Sequence, residues 1–365
     1  MSPASQVEVD ALGRAAGTLL ARPVAGTELV RGGLRSDVAR VHLAGPAEPR
    51  SVIVKAARTA DTRFHDEWSA LQYLCASDSL DARWPRLLAS DAPRGVLVLE
   101  DLSDAPSLAD LLGSPDRDAA ARALEDTAHA LGRLHASCRD SAVRHLVDVP
   151  RCVGQAREFA HRLGTLRELA QRVGTVSSLA FEAEVSRVAD RFADPGRWLT
   201  FTVGDMAPTN VLLTERGPVF IDFEYAGLRH AFYDAMFWRC ICPFPDEIAD
   251  AMEVHYLAGL AAAGLRRSDP TEVRSEMALL CAHRMLWSLT WDVASLLERD
   301  REMAPGESGR ALILTWLAGT RSLLSASGEL PAVSDWLEAL ARALERSWPS
   351  LEQVGFTAFR SFSRS

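Results

Sequence analysis

Three oxygen-bearing side chains stand within 18 positions: Asp205 and Asn210 in TVGDMAPTN, and Asp222 in GPVFIDFEYAG. Their types suit a hard divalent cation such as magnesium, which takes oxygen ligands. Asp222 interrupts an apolar run of Val219, Phe220, Ile221 and Phe223. A carboxylate in such company needs a metal, a cation or several backbone donors. Strand alternation places Asp222 on the face of Phe220, and Gly204 and Pro208 mark the segment that holds Asp205 and Asn210 as a loop.

A fourth candidate stands out by rarity. Of the 40 basic residues 39 are arginine, and the one lysine, Lys55, lies in SVIVKAAR. An ammonium is a compact point charge on a flexible stem, whereas guanidinium is a broad planar fork, so a narrow slot beside phosphate oxygens selects lysine. The helix expected over residues 61–76 carries an apolar stripe of Phe64, Trp68, Leu71, Leu74 and Cys75, with Glu67 on it. An inward carboxylate is costly unless a cation meets it, and Lys55 on the preceding strand is the available one.

The elements that must position these groups change character along the chain. ELVRGG, VARVHL, SVIVKAA, LLASD and GVLVLE read as strands in the first hundred residues. From SLADLLG onward the periodicity is helical, in RDAAARALEDTAHALGRLHASC and in EVRSEMALLCAHRMLWSLTWDVASLLE. VLLTERGPVFIDF is an exception, two short strands around a Gly-Pro turn. With 365 residues and 48% hydrophobic content, two lobes and a large core are expected. A net charge of −9 argues against a nucleic-acid partner. Without a run of about 18 apolar residues or a basic-then-apolar start, a membrane span and a secretory signal are not expected. The six scattered cysteines fit reduced, mostly buried thiols and a cytoplasmic setting.

VGDMAPTNVLLTERGPVFIDFE resembles the HGDxxxxN and IDxE segments of aminoglycoside phosphotransferases and choline-kinase-like enzymes, relatives of the protein kinases. The order agrees over roughly residues 25–240: the glycine-containing loop RGGLRSD, the strand lysine, the helix glutamate, a VLVLEDL hinge, the Asp205 loop and Asp222. The resemblance implies an α+β, two-lobed, protein-kinase-like fold. Residues 1–101 would form a nucleotide-binding lobe with an antiparallel sheet, and residues 102–365 a helical lobe with the catalytic loop and the acceptor site. ATP would lie between the lobes.

By the same resemblance Asp205 orients or deprotonates the acceptor hydroxyl, Asn210 and Asp222 hold Mg2+, and Lys55, steered by Glu67, touches the α- and β-phosphates. Ser36 faces a phosphate, and backbone groups near Leu99 and Asp101 take adenine. Asp234 braces the catalytic loop, and His135 is a packing histidine. Trp287 and Trp291, at helical spacing, read as core. Val203 stands where the family usually has histidine, at the loss of a brace rather than of a phosphate contact.

The implied activity is Mg-ATP-dependent phosphorylation of a hydroxyl on a small molecule, an aminoglycoside-like antibiotic or another natural-product metabolite. The acceptor site is expected within parts of residues 150–200 and 236–300. Two rival readings are a peptide Ser/Thr kinase acting on a biosynthetic precursor and a nucleotide-binding pseudokinase scaffold. The sequence leaves the oligomeric state open.

Overall fold

The computed structural model describes residues 6–32, 35–58, 62–76, 83–145, 151–242, 244–263, 269–291, 293–304, 307–348 and 355–362. The chain divides into two compact units, one made of Met1–Asp110 with Val203–Gly227, the other of Leu111–Thr202 with Leu228–Ser365. Contacts thus gather the segment carrying Asp205, Asn210 and Asp222 with the strand-rich start of the chain.

The first unit is built on α1 (Gln6–Leu20) and a five-stranded sheet: β1 (Val24–Gly32), β2 (Ser36–Leu43), β3 (Ser51–Ala57), β4 (Leu87–Asp91) and β5 (Val96–Glu100), with α2 (Thr62–Cys75) between β3 and β4. The spatial order is β1-β2-β3-β5-β4 and every pairing is antiparallel. Alternating burial explains why these residues make strands. Val41, Leu43, Val52, Val54, Val96 and Val98 share the face that Ala16 and its neighbours on α1 cover, and their successors in sequence face the other way. Directly opposed residues of an antiparallel pair share a face. Lys55 is opposed to Val38 and Leu97, and Leu99 to Ile53, so lysine and Leu99 stand on the face away from α1.

The second unit begins within α3 (Leu108–Leu112) and continues with α4 (Arg117–His145), α5 (Arg151–Val173), α6 (Leu179–Ala193) and β6 (Leu199–Thr202). The chain then supplies the first unit with the hairpin of β7 (Val211–Thr214) and β8 (Gly217–Phe220). The hairpin exists as the sequence suggests, but its turn falls at Glu215–Arg216. Gly217, at φ 96°, and Pro218 already pair with Thr214 and Leu213. Proline gives up only an N–H here, a loss that the edge of a two-stranded ribbon tolerates.

The second unit resumes with β9 (Gly227–His230), which pairs with β6, and continues through α7 (Phe232–Ala235), α8 (Asp246–Ala262), α9 (Pro270–Trp291), α10 (Val293–Glu298), α11 (Gly309–Ser327) and α12 (Pro331–Ser347). One core of this unit joins α5, α6, α9, α11 and α12 through residues such as Phe159, Val185, Leu286, Leu317 and Leu340. The helices α4 and α8 meet through Gly132 and Gly259. A Cβ on Gly132 would strike the carbonyl oxygen of Tyr256, and one on Gly259 that of His129.

Candidate phosphotransfer site

Lys55 is held on the open face of β3 by two carboxylates. Its Nζ lies 2.7 Å from Glu67 Oε2 and 2.5 Å from Asp222 Oδ1. The side chains are 13%, 4% and 25% exposed respectively, so Glu67 points inward on α2 and does not snorkel to solvent. Burial works against the ammonium, but the charges of Glu67 and Asp222 prevail and push its pKa well above the ordinary lysine value. Two carboxylates for one cation leave a local surplus of negative charge, a setting that favours a further cation.

Asp222 is not part of β8, contrary to the alternation expected from sequence. The strand ends at Phe220, and Asp222 takes the left-handed conformation, φ 65° and ψ 66°, at the start of a 3-10 turn over Phe223–Tyr225. A non-glycine residue reaches that region only when its surroundings over-determine it. Here α2 lies against the turn, and the side chain is aimed at Lys55 and away from the face of Phe220.

The Asp205 loop is tied to the same turn. Gly204 has φ 91°, and any Cβ there would collide with the carbonyl oxygen of Tyr225, so glycine is required twice over. Asp205 Oδ1 accepts the Ala207 N–H at 3.2 Å, and Asn210 Nδ2 donates to the Asp205 carbonyl at 3.4 Å. The Asn210 carbonyl in turn accepts the N–H of Ile221, the neighbour of Asp222, at 2.9 Å. Asp205, Asn210, Asp222, Lys55 and Glu67 therefore form one connected constellation. With its amide nitrogen engaged, Asn210 keeps Oδ1 as its acceptor. Together with the Asp222 carboxylate this is an all-oxygen donor set of the kind magnesium uses, the ion keeping waters and phosphate oxygens for its other positions. Among the described residues no group of three His, Cys, Asp or Glu side chains offers a different metal site.

Ser36 opens β2, half-buried, opposite Ala57. Leu99 is buried on the lysine face. The Asp101 carboxylate is engaged elsewhere, with Arg40 Nε at 2.6 Å and with the Ser103 hydroxyl and N–H. Burial opposes its ionisation, yet the bonds from Ser103, Ser51 and Arg40 hold its pKa below the usual value. Val203 is buried. His135 and Asp234, in the helical unit, are fully enclosed and bonded to each other at 3.0 Å.

Four residues escaped the sequence reading. Arg35 Nη1 donates to Glu224 Oε1 and to the Tyr225 hydroxyl, each at 2.8 Å, and the Arg63 guanidinium sits 5.1 Å from the centre of the Tyr225 ring. Arg35, Glu224 and Tyr225 fall inside RGGLRSD and GPVFIDFEYAG, so their places in those strings were the available signal.

The sequence profile of the phosphotransferase enzyme family, APH, matches residues 26–274. No curated protein matches the chain in sequence. Among solved structures, choline kinase LicA from Streptococcus pneumoniae superposes with a TM-score of 0.54 at 15% identity, over 88% of this chain and 100% of that one. The streptomycin–ATP–APH(2″)-IIa ternary complex gives 0.53 at 12%, over 81% and 94%. A putative fructosamine-3-kinase from Thermobifida fusca gives 0.51 at 21%, over 87% and 99%. At these identities the likeness is one of fold, and the fold is kinase-like.

Proposed function

The chain belongs to the phosphotransferase enzyme family, and from that premise we propose that it transfers the terminal phosphoryl group of ATP, with magnesium, to a hydroxyl of a small molecule. The observation that carries this reading is Lys55, the sole lysine, clasped between Glu67 and Asp222 beside the Asp205 loop. A small acceptor is supported by structural relatives that include a choline kinase and an aminoglycoside phosphotransferase bound to streptomycin and ATP. The net charge of −9 suits a cationic acceptor, an aminoglycoside-like antibiotic or a comparable natural product. The free cysteines suit the reducing cytoplasm. No helix of the described residues is long and apolar enough to cross a membrane.

In the proposed step the acceptor oxygen bonds to the terminal phosphorus while the bond from phosphorus to the bridging oxygen of ADP breaks. ADP keeps that electron pair, and the hydroxyl proton passes to the Asp205 carboxylate. Asp205 is suited to this because the Ala207 N–H and the Asn210 amide fix its loop. Lys55, oriented by Glu67, brings its ammonium to inner phosphate oxygens. Asp222 and Asn210 would hold magnesium, which would supply neutralisation of the charge on the phosphate oxygens. Ser36 presents its hydroxyl to a phosphate, and backbone near Leu99 and Asp101 receives the adenine. Because Arg40 and Ser103 occupy the Asp101 carboxylate, that residue acts through its main chain.

Magnesium-dependent phosphate transfer across hydroxylated antibiotics, metabolites and peptides, with Asp205→Asn as the blank, tests the proposal. Turnover on a small hydroxylated acceptor is the expected result. Tight Mg-ATP binding with no turnover above the blank overturns it in favour of a scaffold, and turnover confined to peptides replaces the acceptor class.

A further inference from the structure

Lys55 is one of three cations drawn to the Asp222 segment, with Arg35 and Arg63. Arg35 closes the string RGGLR just before β2, and its guanidinium is bonded to Glu224 and to the Tyr225 hydroxyl, two and three residues beyond Asp222. Its main chain is fixed, since the Arg35 carbonyl accepts the Arg58 N–H of the neighbouring segment at 2.7 Å. Only the side chain is free to change partners, and it is 49% exposed. Glu224 acts electrostatically on Glu67, so Lys55 and Arg35 share one field with three carboxylates: Glu67, Asp222 and Glu224.

That balance changes when magnesium and a polyphosphate arrive. A divalent cation at Asp222 takes over the charge that Lys55 now neutralises, and the phosphates bring new negative charge that needs cations. The Arg35 contacts to Glu224 and Tyr225 are a half-exposed ion pair and a neutral hydroxyl, a weak combination. Guanidinium on phosphate is a charge-assisted pair with matching fork geometry, and it is the stronger partner. Lys55 meets Asp222 itself, whereas Arg35 is anchored further along the same turn. For a phosphate chain that begins at Lys55 and follows the turn from Asp222 toward Glu224, Arg35 would be the next half-exposed cation.

Resting on the phosphotransfer reading, we propose that Arg35 is a phosphate-binding residue whose guanidinium leaves Glu224 and Tyr225 for the terminal phosphate of the nucleotide. Arg35 thereby distinguishes ATP from ADP. Tyr225, kept in place by Arg63 over its ring, is the resting partner that competes with the nucleotide.

Titration calorimetry with Mg-ATP and Mg-ADP, in an Asp205→Asn background to prevent turnover, reads this directly. Arg35→Ala and Arg35→Gln should each weaken ATP about tenfold, the scale of one lost charge-assisted bond, and change ADP by less than about twofold. Tyr225→Phe keeps the ring and removes the competing hydroxyl, so ATP should bind about two- to threefold tighter with ADP unchanged. Equal losses for ATP and ADP in the Arg35 variants, no loss for ATP, or unchanged or weaker ATP binding in Tyr225→Phe overturns the assignment. Those outcomes leave phosphotransfer standing. Failure of the Asp205→Asn protein with Arg35 intact to bind either nucleotide refutes both the phosphotransfer reading and the role of Arg35.

Discussion

The two units bury polar groups in opposite ways. In the helical unit His135 is bonded through Nδ1 to the Tyr256 hydroxyl at 2.8 Å and through Nε2 to Asp234 at 3.0 Å, and the Tyr256 hydroxyl donates to the Ala231 carbonyl at 2.9 Å. Glu276 likewise meets both Arg191 and His230. The His135 network is sealed from solvent, with the His135 and Asp234 side chains both 0% exposed. In the sheet unit one ammonium serves two carboxylates, and one of these, Asp222, is a quarter exposed on a left-handed backbone. Closed networks can only hold a fold, whereas a charged set left open toward solvent can exchange partners with a ligand. On the proposed reading, the difference puts chemistry in the sheet unit and stability in the helical one.

That contrast breaks first, and by the widest margin, in kinetics. Asp205→Asn should lower kcat by a factor of about 10²–10⁴ while the protein melts normally and Mg-ATP binds with nearly parental affinity. Lys55→Arg should also fold and lose most activity, because the fork does not fit between Glu67 and Asp222. Activity within about twofold of the parent in either variant would remove the site from these residues.

Next comes a matched pair of aspartates. Asp234→Asn uncouples a fully buried network and should cost about 3–5 kcal/mol in urea denaturation. Asp222→Asn leaves Lys55 its Glu67 partner, so its stability change should stay under about 1 kcal/mol, with magnesium-dependent nucleotide binding weakened instead. Equal destabilisation by the two would erase the distinction between open and closed networks.

Gly259→Ala places a methyl against the His129 carbonyl where α4 and α8 cross, and overpacking there should cost about 1–3 kcal/mol. A stability within about 0.5 kcal/mol of the parent would show that the helices separate readily.

The last effect, spread over pH, concerns an imidazole outside every network. Both ring nitrogens of His283 lack a hydrogen-bond partner, and the ring is stacked on Phe192 at 3.7 Å between centres. Burial, aided by Arg284, lowers its pKa from 6.5 to about 3. The unfolded chain therefore takes up a proton near 6.5 that the folded state refuses. The stabilisation is complete above 6.5 and is lost as pH falls toward about 3, at about 1.4 kcal/mol per unit. Burial lowers the His230 pKa too, with the same sign. Urea midpoints should drop between pH 7 and 5, and His283→Phe should flatten that slope. An unaltered slope would mean the drop comes from other groups.

Much of the candidate site was legible because its signals are local. Glu67 betrayed its partner by standing on an apolar stripe, and Asp222 by interrupting an apolar run. The backbone of Asp222 was not legible, since nothing in PVFIDFE demands positive φ and tertiary contact with α2 and the Asp205 loop decides it. Arg35 and Glu224 are 189 positions apart, beyond any periodicity. Asp101 took Arg40 because strand order, which no short motif specifies, brought them together. Helical spacing grouped Trp291 with Trp287 as core, yet Trp291 ends α9 and is 51% exposed, with Arg162 stacked over it at 3.5 Å. Cys75, on the predicted stripe of α2, is exposed because that helix also ends there. Where a helix runs out, its period no longer says what is covered.

Lys55 is also the only side-chain amine the protein owns, and it is enclosed. The 39 arginines supply positive charge to the rest of the molecule without offering an acylatable nitrogen. Enzymes that build isopeptide bonds or transfer acetyl groups to lysine accordingly find no surface target, apart from the α-amino group at the chain start. The same arithmetic turns an amine-directed reagent into a single-address probe. Nζ is protonated and clasped by Glu67 and Asp222, so it reacts only when those partners let go, and mass analysis of the peptide that carries Lys55 then separates its adduct from any on the α-amino group. Amine acylation becomes a clock for the opening of one ion cluster, read without any knowledge of the acceptor.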